Sequence, residues 1–124
     1  GAAFDPNYPD VSERRNAPIL NGGIVITKYT GSRGKGGASD ASAELVAKIR
    51  RIFNENGVEW QMGELGKVDA GGGGTIAQFV ANLDMDVIDA GVPLLSMHSP
   101  YEIAGKLDIY MTHKGYKEFY LNNK

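Results

Sequence analysis

Asp86–Glu102, DVIDAGVPLLSMHSPYE, is the stretch from which the rest of the chain can be read. An apolar run, Val92-Pro93-Leu94-Leu95, leads directly into Met97-His98-Ser99-Pro100. Glu102 follows Ser99 at the spacing of a capping box, and Pro100 occupies the position of a first helical residue. The pattern predicts a buried strand, one histidine in the connection, then a helix. Ligands of open α/β sheets gather beyond the carboxyl ends of strands. An imidazole placed before a helix N-terminus faces the positive end of the dipole, which favours a neutral ring able to bind metal. The competing reading is that His98 hydrogen-bonds within the connection, since one histidine is not a metal site.

Working outward, Gly23-Ile24-Val25-Ile26-Thr27-Lys28-Tyr29 is a β-branched run that predicts a strand. The glycine cluster after it, Thr30-Gly31-Ser32-Arg33-Gly34-Lys35-Gly36-Gly37, lacks the Walker spacing. It reads as a cationic loop that contacts substrate or a neighbouring chain. Ser39 or Asp40 then caps a helix to about Asn56, with Leu45, Ile49, Ile52 and Phe53 at helical spacing and Asn56-Gly57 as its stop. Val58–Leu65 predicts a second strand at an edge. Gly71-Gly72-Gly73-Gly74-Thr75 opens a short helix bearing Ile76, Phe79, Val80 and Leu83. Four consecutive glycines are costly in backbone entropy. Either another backbone or a ligand approaches closely there, the helix start holding an anion or carbonyl oxygen, or the run is simply a tight turn. Met85–Ala90 and Val92–Met97 read as third and fourth strands. The final helix, from Ser99, carries Ile103, Leu107, Tyr110 and Met111, then Tyr116, Phe119 and Tyr120. Its tyrosines suit a packing or subunit seam, and His113 reads as an exposed helix residue.

Strands alternating with helices predict an α/β fold, a three-layer αβα sandwich with a mostly parallel sheet. Residues 1–21, with Asp5-Pro6, Tyr8-Pro9 and Ala17-Pro18, read as an irregular connecting segment, and 22–124 as the α/β part. The 124 residues contain no cysteine, which excludes thiolate nucleophiles and zinc ribbons and fits a reducing, cytoplasmic setting. A net charge of -2 gives no general pull toward nucleic acid or anionic lipid. No stretch is apolar enough to span a membrane.

Six sequence words recur in order: Asn16-Ala17-Pro18; Lys28-Tyr29-Thr30-Gly31-Ser32-Arg33-Gly34-Lys35; Gly63-Glu64-Leu65-Gly66-Lys67-Val68-Asp69; Gly71-Gly72-Gly73-Gly74-Thr75-Ile76-Ala77; Met85-Asp86-Val87-Ile88-Asp89; and Ser96-Met97-His98-Ser99-Pro100. Together they resemble the C-terminal part of the aspartyl aminopeptidase (aminopeptidase I type) family of dinuclear metallo-exopeptidases, over nearly the whole chain. The resemblance implies a zinc-peptidase-like fold and two divalent ions, usually zinc with other metals possible, activating a water against the N-terminal peptide bond of a substrate. It implies that His98 is a metal ligand and that Gly72, Gly73, Gly74 and Thr75 contact the substrate backbone. Lys28 resembles the basic residue that faces an acidic substrate side chain in some members.

The resemblance places the remaining ligands and the general base upstream of these residues. The motif like Ala2-Ala3-Phe4-Asp5-Pro6 sets one aspartate ligand just before Gly1. The expected protein is therefore the C-terminal portion of a metallo-aminopeptidase, inactive alone, partnered by the missing N-terminal portion. It would take peptide substrates and form a homo-oligomer, possibly a dodecamer. The alternative is a non-catalytic structural or oligomerisation fragment of the same fold.

Overall fold

A computed structural model of the chain describes residues 1–33, 36–67 and 69–124. Its centre is β1 (Ile24–Thr27), flanked by β4 (Trp60–Met62) in parallel and β6 (Asp89–Gly91) antiparallel. Alternation along β1 divides the molecule. Ile24 and Ile26 point into a core with Val58 and with Ile49, Ile52 and Phe53 of α1 (Ala43–Glu55). Phe119 of α3 (Lys106–Asn122) packs on the same cluster. Val25 points the other way, toward Gly1 and Pro18. The helices approach closely because α3 presents Gly115: a Cβ there would stand 3.2 Å from the Phe53 ring.

α1 forms where the apolar spacing predicts it, but its cap is Ser42, whose Oγ accepts from the Leu45 amide at 3.2 Å. Ser39 and Asp40 belong instead to β3 (Gly36–Asp40), which pairs antiparallel with β2 (Tyr29–Ser32); β2 in turn pairs with β5 (Gly72–Gly73). Replacing Ser42 with alanine leaves a helix-start amide unpaired. The expected loss is about 1 kcal/mol, read from the urea midpoint; no loss would mean that solvent serves the amide equally well.

Several expectations need correcting. The β-branched run does not continue to Tyr29: the chain turns at Lys28, leaving β1 for the second sheet as β2. The α/β class stands, but among the described residues parallel pairing occurs only between β1 and β4, the other four strand pairings being antiparallel. Short glycine-rich connections make hairpins here, whereas parallel neighbours need a long crossover, which α1 supplies once. Both long helices lie on one face of β1, so this chain carries one helical layer; Gly1 and Pro18 lie over the other face.

The third and fourth strands shrink to β6 and β7 (Leu94–Leu95). After His98 comes no helix but β8 (Ile103–Ala104), paired with β7. Residues 1–21 contain neither helix nor named strand. They are nevertheless tied down: the Ala3 amide donates to the Leu94 carbonyl (2.7 Å) and the Phe4 amide to that of Pro18 (2.8 Å). None of the described helices is long and apolar enough to cross a membrane.

α3 starts at Lys106 because of Asp108, which is fully buried and accepts from the Asn21 and Gly23 amides, both at 2.8 Å. The acid in the first turn thus serves another segment as well as its own helix end. Of the tyrosines on α3, Tyr116 donates its hydroxyl to the Ala90 carbonyl at 2.6 Å, while Tyr110 and Tyr120 are exposed, as is His113.

Candidate functional site

The outward face of β1 opens onto a cleft of about 370 Å³, lined by Thr27, Thr30, Gly74, Thr75, Asp89, Met97 and His98 among others. Each wall has a local cause. Gly72 has φ +92, and a Cβ on it would lie 2.5 Å from the Gly31 carbonyl oxygen, so β5 can meet β2 only as glycine. Of the two readings of the glycine run, close approach of another backbone therefore holds at Gly72. From there the chain passes through Gly74 and Thr75 into α2 (Ala77–Ala81). The Thr75 hydroxyl donates to Asp89 Oδ2 at 2.9 Å and accepts from the Ala77 amide at 3.1 Å. Asp89 in turn pairs with Thr27 across β1 and β6. A single threonine thereby fixes the turn after the glycines to the central sheet.

His98 stands at the opposite wall, exposed, with φ +72; Ser96 two residues earlier has φ +54. Left-handed backbone at non-glycine residues is a local cost that surrounding structure must hold in place. Here the His98 amide donates to the Glu102 carboxylate. Glu102 thus serves His98 rather than a Ser99 cap, whose expected capping box is absent. Because β8 and not a helix follows, the dipole argument for a neutral ring does not apply. What survives is the position: an exposed imidazole on the same cleft as Gly74 and Thr75.

Of the expected site residues, His98, Gly74 and Thr75 converge on this cleft, and Gly72 and Gly73 form its supporting strand. Lys28 does not line it. Its ammonium is paired with Asp40 at the base of the β2–β3 hairpin. In the cationic loop, Gly34 and Lys35 lie outside the described residues, as does Val68 in the third sequence word. Sequence reasoning missed Thr30, Asp89 and Glu64. Thr30 is 3% exposed on the cleft, and its hydroxyl has no hydrogen-bond partner among the described residues. None of the three carries a spacing signal, because their meeting is made by strand pairing.

Glu64 lines a smaller neighbouring recess of about 260 Å³ with Tyr29, Lys67 and Asp69. Burial, then the nearby Asp40 carboxylate, raises its pKa above the ordinary 4.5, with Lys28 opposing. A raised carboxyl pKa means that the folded state binds the proton more tightly. The associated stability is full below 4.5 and is lost as pH climbs through the folded value. Glu64→Gln should therefore stabilise the chain at neutral pH and flatten the fall in urea midpoint between mildly acidic and neutral solution. An unchanged slope would remove Glu64 from the pH response.

Among the described residues no three histidine, aspartate or glutamate side chains cluster to hold an ion. Zinc is ordinarily held by three or four protein ligands. These residues fit one ligand of a shared centre, not a centre of their own.

The family model described as aminopeptidase I zinc metalloprotease (M18) matches residues 1–120. The probable M18 family aminopeptidase 1 of Clostridium acetobutylicum is 60% identical over 122 residues, which are 98% of this chain and 26% of that protein. The crystal structure of aminopeptidase I from the same organism superposes with a TM-score of 0.91 at 59% identity, over 96% of this chain and 26% of that one. For the M18 aminopeptidase of Thermotoga maritima the TM-score is 0.89 at 53% identity, covering 94% and 26%. The mApe1 dodecamer of S. cerevisiae shares the fold at 23% identity and a TM-score of 0.73, over 98% and 25%. The chain thus spans about a quarter of the length of the relatives it matches.

Proposed function

Because the chain belongs to the aminopeptidase I zinc metalloprotease (M18) family, we propose that it is the C-terminal portion of a metallo-aminopeptidase that removes N-terminal residues from peptides. The observation that carries this reading is the convergence of His98 with Gly74 and Thr75 on one cleft. His98 supplies one imidazole to a two-ion centre, zinc in the first instance, whose other ligands and general base lie in the remainder of the enzyme. When bound, such ions polarise the scissile carbonyl and acidify a water.

The chain's own residues hold and orient substrate. The Gly72–Thr75 run brings backbone, unshielded by side chains, to the cleft wall. The Thr75–Asp89 hydrogen bond keeps that wall in register with β1. Thr30 offers a buried hydroxyl to a polar group of the substrate. Lys28 can meet an acidic side chain only by giving up Asp40, which weighs against a strong preference for acidic N-terminal residues. Residues 1–21 connect this portion to what precedes it, and 22–124 form its α/β body. The complete enzyme is a homo-oligomer, as the shared fold of the mApe1 dodecamer supports.

The test is a chimera in which this chain replaces the matching quarter of the Clostridium enzyme. It should bind two zinc ions and release N-terminal residues from reporter peptides. His98→Ala should lose one of the ions, counted by elemental analysis. The isolated chain should bind zinc no tighter than micromolar. A zinc-loaded chimera without peptidase activity would leave the non-catalytic alternative standing, and full zinc retention in His98→Ala would remove His98 from the centre.

A further inference from the structure

α2 is unusual in burying almost nothing of its own. Among its residues only Ala77 is buried, while Ile76 is 76% exposed, Phe79 62% and Leu83, just past its end, 71%. These three recur at i, i+3 and i+7, so they share one helical face. Met85, 50% exposed, extends the stripe toward β6. A contiguous apolar face of this kind marks a contact surface rather than scattered surface residues.

The face has a direction. α2 follows Thr75, so its exposed stripe begins where the cleft wall ends. In the Clostridium structure this same fold accounts for only 26% of the polypeptide, so three quarters of a related chain must pack somewhere on it. α3 offers a competing surface through Tyr110 and Tyr120, but its packed face is already committed to α1 and β1.

We infer that the Ile76–Phe79–Leu83 face of α2 is the seam on which the longer, ligand-bearing portion of the M18 polypeptide docks. This rests on the reading of the chain as the C-terminal portion of such an enzyme. Docking there covers the apolar stripe and places the incoming polypeptide beside Thr75, closing the cleft from the side opposite His98. The tyrosines of α3 are left for other contacts.

Hydrogen exchange tests this without relying on activity. In the isolated chain, amides of residues 76–85 should exchange fast, whereas in the Clostridium chimera they should slow by at least about tenfold, with α3 much less affected. Phe79→Glu should cancel that protection, while Tyr120→Glu should not. Should Phe79→Glu prevent the chimera from folding, Phe79→Ser provides the milder variant. Protection confined to α3, or unchanged exchange at 76–85, overturns the seam even if the chimera is an active peptidase. Protection at 76–85 in a zinc-loaded but inactive chimera upholds the seam and sinks the enzymatic reading instead.

Discussion

Gly23→Ala should destabilise the chain by about 3 kcal/mol or more, seen as a fall in the urea midpoint at unchanged slope. Gly23 begins β1 with φ +88, a conformation in which any side chain is strained. Space makes matters worse: a Cβ there would lie 2.1 Å from the Glu59 carbonyl oxygen. That carbonyl is not free to move aside, because it accepts from the Ile24 amide at 3.1 Å. A methyl group must therefore displace β1 from the segment leading into β4, along the strand that carries Ile24 and Ile26 into the core. A loss under about 1 kcal/mol would show that the start of β1 can be rearranged cheaply.

Asp108→Ala should cost about 2–5 kcal/mol by the same measurement, since a buried donor left without an acceptor costs ~1–3 kcal/mol. Its two carboxylate oxygens take the amides of Asn21 and Gly23 at the turn where β1 starts. Truncation strands both amides. Asp108→Asn keeps one acceptor and should lose about half as much. The two sites share the bond from Gly23 to Asp108, so combining Gly23→Ala with Asp108→Ala should cost less than the sum of the separate losses. Strict additivity would mean that the bond contributes nothing.

Local patterns were readable where one interaction decides the outcome. The Leu45–Phe53 periodicity and the Asn56-Gly57 stop place α1, Gly57 being left-handed at φ +64. The Ile24–Thr27 run places the central strand. Reading failed where a distant partner outbid a local signal. Ser99, Pro100 and Glu102 look like a helix start, yet pairing of Leu94–Leu95 with Ile103–Ala104 holds them in a hairpin and delays the helix to Lys106. Asp108 looks like an ordinary first-turn acid, and nothing near it in the chain announces amides 85 and 87 residues away.

The cleft divides in the same manner. His98 and Gly72–Thr75 stand out as local words, whereas Thr30 and Asp89 join them only through the pairings of β2 and β6 with their neighbours. Lys28 was legible as a basic residue at a strand end, but its partner Asp40 was not, because it arrives by the return of a hairpin.

The clamp from Asp108 to the start of β1 also orders events during synthesis. Ile24-Val25-Ile26 leaves the ribosome well before β4, β6 or the acid that seats its first turn has been translated. Until then the nascent chain displays a β-branched apolar run with nothing to pair with, a segment prone to intermolecular association. Ribosome-stalled chains ending before Lys106 should accordingly recruit holding chaperones and be digested readily by protease. Those extended through α3 and clear of the exit tunnel should acquire resistance in a single step.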